Sequence, residues 1–521
     1  MAGIFYNTGN SKLGKDWLFL EFGVFFDGTG KNRRNTEIQK KVNQKDEFIG
    51  IPANSHEIKV YTEKALERTG FFSSEKKEKK GTSFTSDFSN VARMSFCTEQ
   101  KSYTIYIEGI GTTDEDNNTT NAIIFGSGPT GVRDKVRKAC EKLAEKIEQE
   151  RRKYPDKTFT RLTLDIFGFS RGAAAGRNFI YEINSRKKRQ EDIKVQKIAE
   201  ETPDPEFMIN NNGIYEMPEM GYLGYVLLSK GIMSKEDLSR LYLQIRFIGV
   251  YDTVASYSDS SSIIRNAGRN MIHGFDGGLE SLQLNNLGIY EKAVHFTAMD
   301  EHRANFSLTR FPGAVEKNFP GVHSDIGGSY SNAVEEVTIA EEFIDFNVTE
   351  LRQSLIDEYW FTSDELTISH IPMKKLSGKR MLSREYSYIP LHFMEDFFCA
   401  QLNNSSQKII IDSVKEKYPV DNHPVLVEAK KVLCKYVFGT AAEWRFHNDE
   451  KLIRKLLNYK DESPYRRSEI IQRHGHQLER DIAAAFPKQA LLRELRHQYL
   501  HWSSGTGLGM APARDRVRTE F

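Results

Sequence analysis

Leu162-Thr163-Leu164-Asp165-Ile166-Phe167-Gly168-Phe169-Ser170-Arg171-Gly172-Ala173-Ala174-Ala175-Gly176-Arg177 is the stretch that decides the fold. Its first six residues form an apolar run interrupted by one acid, as in a strand buried on both faces of a parallel sheet. From Ala173 the composition turns helical, to about Asn184. Between them, Gly168 to Gly172 fits G-x-S-x-G. The pattern alone is common, but a strand before it and a helix after it are the setting a nucleophile elbow requires. The flanking glycines leave room for a serine on a sharp turn. The plainer alternative is a strand-to-helix turn that happens to carry serine.

Upstream lie two more strand signals. Trp17 to Phe26 ends abruptly at Asp27-Gly28-Thr29-Gly30, and Tyr103 to Ile107 runs into Glu108-Gly109-Ile110-Gly111. A third apolar patch, Ala122 to Phe125, leads into a helix over Val132 to Lys153. Downstream are strands at Ile245 to Val250 and Val294 to Ala298. Strands alternating with helices and ending in glycine turns predict an α/β fold: a mainly parallel, α/β-hydrolase-like sheet flanked by helices.

Beyond about Glu335 the periodicity predicts a mostly helical region, clearest at Val425 to Tyr436 and at Ser468 to Leu500, where Pro487 divides two helices. The expected organisation is a catalytic domain over 1–400, with insertions at about 39–89 and 186–240, and a helical C-terminal region over 401–521. Glu75 to Lys80 predicts a solvated insertion, and Ser503 to Phe521 a flexible tail.

With 521 residues, 39% hydrophobic, the chain can bury a large core. A net charge of +1 gives no overall drive toward nucleic acid. Four dispersed cysteines, Cys97, Cys140, Cys399 and Cys434, fit neither a disulfide framework nor a zinc site, and imply folding in a reducing cytoplasm. The N-terminus lacks the pattern of a cleaved leader, and no window is apolar enough to cross a bilayer, so a soluble protein is expected.

A serine nucleophile needs a base, and the base an orienting acid. His323 stands out among the histidines after Ser170 because Gly321-Val322-His323-Ser324-Asp325-Ile326-Gly327-Gly328 is a tight glycine-flanked loop. His295, mid-strand, and His302, in a polar run, are its rivals. Asp252 follows Arg246-Phe247-Ile248-Gly249-Val250-Tyr251 directly, at the carboxyl end of a strand, where open α/β sheets bind ligands. Asp325 is the alternative acid, two residues from His323 and better suited to shaping that loop.

Taken in order, Asp27-Gly28-Thr29-Gly30, Gly168-Phe169-Ser170-Arg171-Gly172-Ala173, Gly249-Val250-Tyr251-Asp252-Thr253-Val254 and Gly321 to Gly328 resemble the catalytic domain of bacterial type VI secretion lipase effectors with a G-F-S-R-G nucleophile motif. Ile389-Pro390-Leu391-His392-Phe393-Met394 is similar to the family's final segment, so the resemblance spans about residues 17 to 400. It implies a phospholipase A-type esterase attacking membrane glycerophospholipids from a rival cell's periplasm, with the triad Ser170, Asp252 and His323. It also implies a secretion-spike partner and a cognate immunity protein. One oxyanion donor is expected at the N–H of Arg171 and a second from Gly28-Thr29, with Gly109 to Gly111 as the alternative. A cytoplasmic carboxylesterase and an idle hydrolase fold used for binding are the competing readings.

Other signals carry less. Gly126-Ser127-Gly128-Pro129-Thr130-Gly131 fits a dinucleotide fingerprint, but Pro129 lacks an N–H for a pyrophosphate. No cofactor and no metal are expected. Asp114-Glu115-Asp116-Asn117-Asn118 resembles half an EF-hand loop without its glycine or final glutamate, leaving only calcium stimulation at an irregular site open. His474-Gly475-His476 lacks companion ligands. Arg186 to Arg189 is a solvated run or a headgroup contact, and Tyr222 to Leu228 with Ile232-Met233 is core or an acyl-pocket lid.

Overall fold

A computed structural model describes residues 16–68, 76–79, 82–98, 103–118, 130–184, 218–255, 282–341, 347–370, 374–403, 413–456, 476–505, 511–513 and 516–521. Six parallel strands form its centre: β1 (Trp17–Phe26), β2 (Thr104–Ile107), β3 (Thr158–Phe169), β4 (Tyr242–Tyr251), β5 (Lys292–Ala298) and β6 (Val315–Phe319). Their order is β2-β1-β3-β4-β5-β6, with every pairing parallel. All carboxyl ends therefore point the same way, and the long central strands β1, β3 and β4 are buried toward those ends.

Side chains alternate across these strands and meet helices on both faces. On one face Phe25 stacks on Phe167, and Phe167 and Phe247 meet Phe398 at ring-centroid distances of 5.2 and 5.1 Å. On the other, Phe26 and Ile166 lie against Phe179 and Gly176. Phe398 belongs to a helix at Tyr388–Asn403, and Phe179 to the helix that follows β3. The charges buried in the central strands are paired. Buried Arg246 donates to both oxygens of Asp165 at 3.0 and 2.6 Å and to Glu21 at 2.8 Å, which ties β4, β3 and β1 together.

Two expectations are corrected. Residues beyond Glu335 include a three-stranded antiparallel sheet, β7 (Ala333–Glu341), β8 (Leu366–Ser369) and β9 (Lys375–Leu382), in the order β8-β9-β7. The period of two is visible in β9, where Leu376, Gly378, Arg380 and Leu382 are buried and their neighbours less so. Helices do follow, at Pro424–Val437, His476–Ala485 and Pro487–Gln498, the last opened by Pro487.

Within the 39–89 insertion, Val60, Tyr61, Ala65 and Phe84 form a small core together with Ile38. The described part of the tail expected to be flexible, 511–513 and 516–521, lies along residues 302–310. Ala304 and Leu308 donate N–H groups to the carbonyls of Ala511 and Thr519, and Ala513 and Phe521 donate to those of His302 and Leu308. Leu426, Leu433, Leu492, Leu495, Leu500 and Trp502 join the same continuous core as the parallel strands. Among the described residues no helix is long and apolar enough to cross a membrane.

Candidate active site

β3 ends at Phe169, and α1 (Arg171–Asn184) begins one residue later, so the whole reversal falls on Ser170. Its φ of 59° is left-handed, a conformation costly to any residue with a Cβ. The surroundings hold it there. The Ser170 N–H donates to the Tyr251 carbonyl at 3.0 Å, and its carbonyl accepts from Ala173 at 3.0 Å and Val254 at 3.3 Å. Gly172 has no alternative, because a Cβ would stand 2.2 Å from the Asp27 carbonyl oxygen. The start of α1 is thereby pressed against the end of β1.

Tyr251 closes β4, and Asp252 is the next residue, also left-handed at φ 42°. Its N–H donates to Phe296 at 2.7 Å, and its Oδ1 accepts from Ala298 N–H at 2.9 Å, both on β5. His323 opens a five-residue helix, α2 (His323–Gly327), just after β6. The Nδ1 of His323 lies 2.5 Å from Asp252 Oδ2. Phe169 and Phe306 flank the imidazole at 4.6 and 5.1 Å between ring centroids. Since Phe169 adjoins Ser170, the base stands beside the elbow. With Nδ1 held by the carboxylate, Nε2 is the nitrogen left to serve a nucleophile. Neither Nε2 nor the Ser170 hydroxyl has a hydrogen bond to the described residues, and such contacts commonly tighten only when substrate is bound.

Electrostatics suit a neutral base on an ionised acid. Burial lowers the His323 pKa and Arg303 adds to that, while Asp252 opposes it. Burial alone would raise the Asp252 pKa, but Arg518 and His323 hold it well below the usual carboxylate range. Arg518 donates from Nη1 to Oδ1 at 2.7 Å and from Nη2 to Oδ2 at 2.9 Å. Nothing local in the sequence marks Arg518, 266 residues away, as a partner of Asp252.

Around the expected oxyanion position, Gly28 packs so closely on Phe169 that a Cβ would lie 2.5 Å from the ring. The Gly28 N–H does not face the elbow freely, because it donates to Asp27 Oδ1 at 2.7 Å. This corrects Gly28 as a donor. In the alternative loop, Gly109 and Gly111 donate to the carbonyls of Lys31 and Thr130. Thr29 remains: its N–H has no partner among the described residues, and its hydroxyl accepts from Arg171 Nε at 2.9 Å. Arg171 is half-buried, and desolvation of its guanidinium brings the pKa down to about 10.

The rival residues have other occupations. His295 bridges Glu316 and the Thr253 N–H at 2.8 and 3.1 Å, and His302 bridges the Asp300 carbonyl and Ser504 at 2.9 Å each. Asp325 receives Val322 N–H and His501 Nδ1 at 3.0 and 2.8 Å, so it shapes the loop. His392 sits between Tyr418 and Lys430. Asp116 pairs with Lys64 and Glu115 with Arg34 and His56, and no metal-holding group of side chains occurs among the described residues. Tyr222 to Leu228, Ile232 and Met233 are buried in the main core rather than forming a lid. Residues 122–129, 186–189 and 474–475 lie outside the described residues.

Comparison with known proteins gives one family. Residues 73–350, just over half of the chain, match the model for the catalytic domain of the Tle1-like phospholipase effectors of type VI secretion. Comparison with curated proteins gives no match. Among solved structures, a Tle1 effector bound to the VgrG spike of the type VI system is similar over 99% of both chains, at 16% identity and a TM-score of 0.47. An uncharacterized protein from Pseudomonas aeruginosa is similar over 92% of this chain and 64% of its own, at 14% identity and a TM-score of 0.33.

Proposed function

Because this chain belongs to the Tle1-like family of type VI secretion phospholipase effectors, we propose that it is a phospholipase A-type serine esterase acting on membrane glycerophospholipids. The observation that carries the reading is the 2.5 Å contact of His323 Nδ1 with the buried Asp252 carboxylate, at the sheet end where Ser170 occupies a strained elbow.

In the proposed reaction Ser170 Oγ attacks the ester carbonyl carbon, and its proton passes to His323 Nε2. Asp252 fixes the imidazole tautomer and stabilises the imidazolium. The carbonyl oxygen takes up negative charge against the N–H groups of Arg171 and Thr29, the former at the positive end of α1. The imidazolium then protonates the departing lysophospholipid oxygen, leaving an acyl-Ser170 ester. Water, deprotonated by His323, releases the fatty acid and restores the serine.

Family membership also supports delivery by a type VI machine. The secretion spike is the proposed carrier, the target-cell periplasm the proposed place of action, and an immunity protein the proposed protection of the producer.

The test is fatty-acid release from mixed phospholipid vesicles by the wild type and by Ser170→Ala. Release that disappears in the variant is the expected result. Wild-type activity confined to short soluble esters would replace this reading with a carboxylesterase, and silence on every ester would leave a binding module.

A further inference from the structure

We propose that Arg518 is a positioning residue for the acid–base pair, clamping Asp252 in the orientation that His323 needs. The inference rests on the serine-esterase reading above and adds a residue that the motifs do not reach.

Asp252 is fully buried, and four donors account for its two oxygens. Oδ1 accepts from Ala298 N–H at 2.9 Å and Arg518 Nη1 at 2.7 Å, and Oδ2 from His323 at 2.5 Å and Arg518 Nη2 at 2.9 Å. A fork-on-fork pair fixes the carboxylate plane as well as its charge, which a single ammonium would not do. The same guanidinium donates from Nε to the Phe306 carbonyl at 2.6 Å. Phe306 in turn lies edge-on to the His323 ring, so Arg518 braces the imidazole from a second side.

The clamp is itself held. Residues 516–521 are bound to residues 306–310 through the Leu308–Thr519 and Phe521–Leu308 hydrogen bonds, with an Arg310–Glu520 ion pair at 2.6 Å. The Arg516–Glu358 pair, at 2.7 Å, lies on the same segment but touches neither Asp252 nor His323, and the bonds at Thr519, Glu520 and Phe521 hold the segment without it.

The charges facing the pair determine what removing Arg518 does. Asp252 faces Arg518 and His323, with His295 in electrostatic reach. His323 faces Asp252, Arg303 and Glu301. Without the guanidinium, more of the Asp252 charge acts on His323 and favours the imidazolium. The acidic limb of kcat/KM therefore moves to higher pH, by about one unit. The loosened carboxylate also lowers kcat about ten- to a hundredfold. KM is unchanged, because Arg518 is directed at the acid and not at substrate.

The experiment compares pH–rate profiles and melting temperatures of wild type, Arg518→Gln, Arg518→Lys, Arg516→Gln and Ser170→Ala. Expected are a low kcat and a raised limb in Arg518→Gln, a low kcat with the limb in place in Arg518→Lys, and unchanged activity in Arg516→Gln. A folded Arg518→Gln with the wild-type kcat and limb overturns the inference. So does an Arg516→Gln that reproduces the shift, since docking of the segment alone would then explain it. If Arg518→Gln does not fold, full activity in Arg518→Lys overturns the bidentate clamp. Activity persisting in Ser170→Ala would instead strike the esterase reading itself.

Discussion

Ser170 and Asp252 are each non-glycine residues in the left-handed region, at φ 59° and 42°, and each directly follows a strand. Strain of this kind persists where the surroundings over-determine it. Here the Ser170 N–H and the Asp252 N–H reach the neighbouring strand ends, so the backbone aims both side chains above the sheet edge. Glycine would adopt the same φ without a Cβ penalty. Ser170→Gly should therefore be inactive yet more stable than the equally inactive Ser170→Ala, by about 1 kcal/mol. Denaturant titration of the two variants checks this, and equal midpoints would mean that the elbow is not strained. Ser170, Asp252 and His323 were legible because strand ends and glycine turns mark them locally. Gly28 was misjudged as a donor because the Asp27 side chain that engages its N–H has no signature in the sequence. Arg518 was out of reach for a similar reason, since its role is made by the return of a distant segment.

At the scale of elements, legibility followed burial. β1, β3 and β4 are apolar on both faces, and their sequences say so. β6, Val315-Glu316-Lys317-Asn318-Phe319, was not expected at all: it is an edge strand, only partly buried, and its polar residues bond outward to neighbours such as His295 and Tyr436. β7 and β9 were taken into a helical region because their period of two is blurred: Val334 and Met381 are exposed apolar residues, and Gly378 and Arg380 stand on the buried face of β9. Gly172 and Gly168 fasten α1 to the sheet at contacts that no Cβ would fit, which is the physical content of the G-x-S-x-G spacing.

For the whole molecule, the expected division at residue 400 does not coincide with a division of the core. The helices Pro424–Val437 and Pro487–Gln498 pack into the same apolar cluster as the sheet, Leu452, Ile453, Leu478 and Ile482 make a small cluster of their own, and His501 and Arg518 reach Asp325 and Asp252. The buried histidines of this molecule share one pH response. His295, His302, His323 and His392 are all buried with lowered pKa values, burial being the first cause in each, and His392 is brought down to about 3. Unfolded histidine takes up its proton near 6.5. Below that pH the unfolded chain binds more protons than the folded one, so this stabilisation is complete above about 6.5 and is lost as pH falls. The loss approaches about 1.4 kcal/mol per histidine per pH unit until the folded pKa is reached. The apparent Tm should fall between pH 7.5 and 5.5. A Tm that stays level or rises on acidification would contradict the neutral, buried state of these rings.

The most direct test of the serine mechanism is labelling with a fluorophosphonate, which reacts with a serine only where a base and an oxyanion site activate it. Peptide mass mapping should find a single adduct, on Ser170, reduced to background in His323→Ala. An unlabelled protein that nonetheless hydrolyses phospholipid, or an adduct on another residue, would contradict the account.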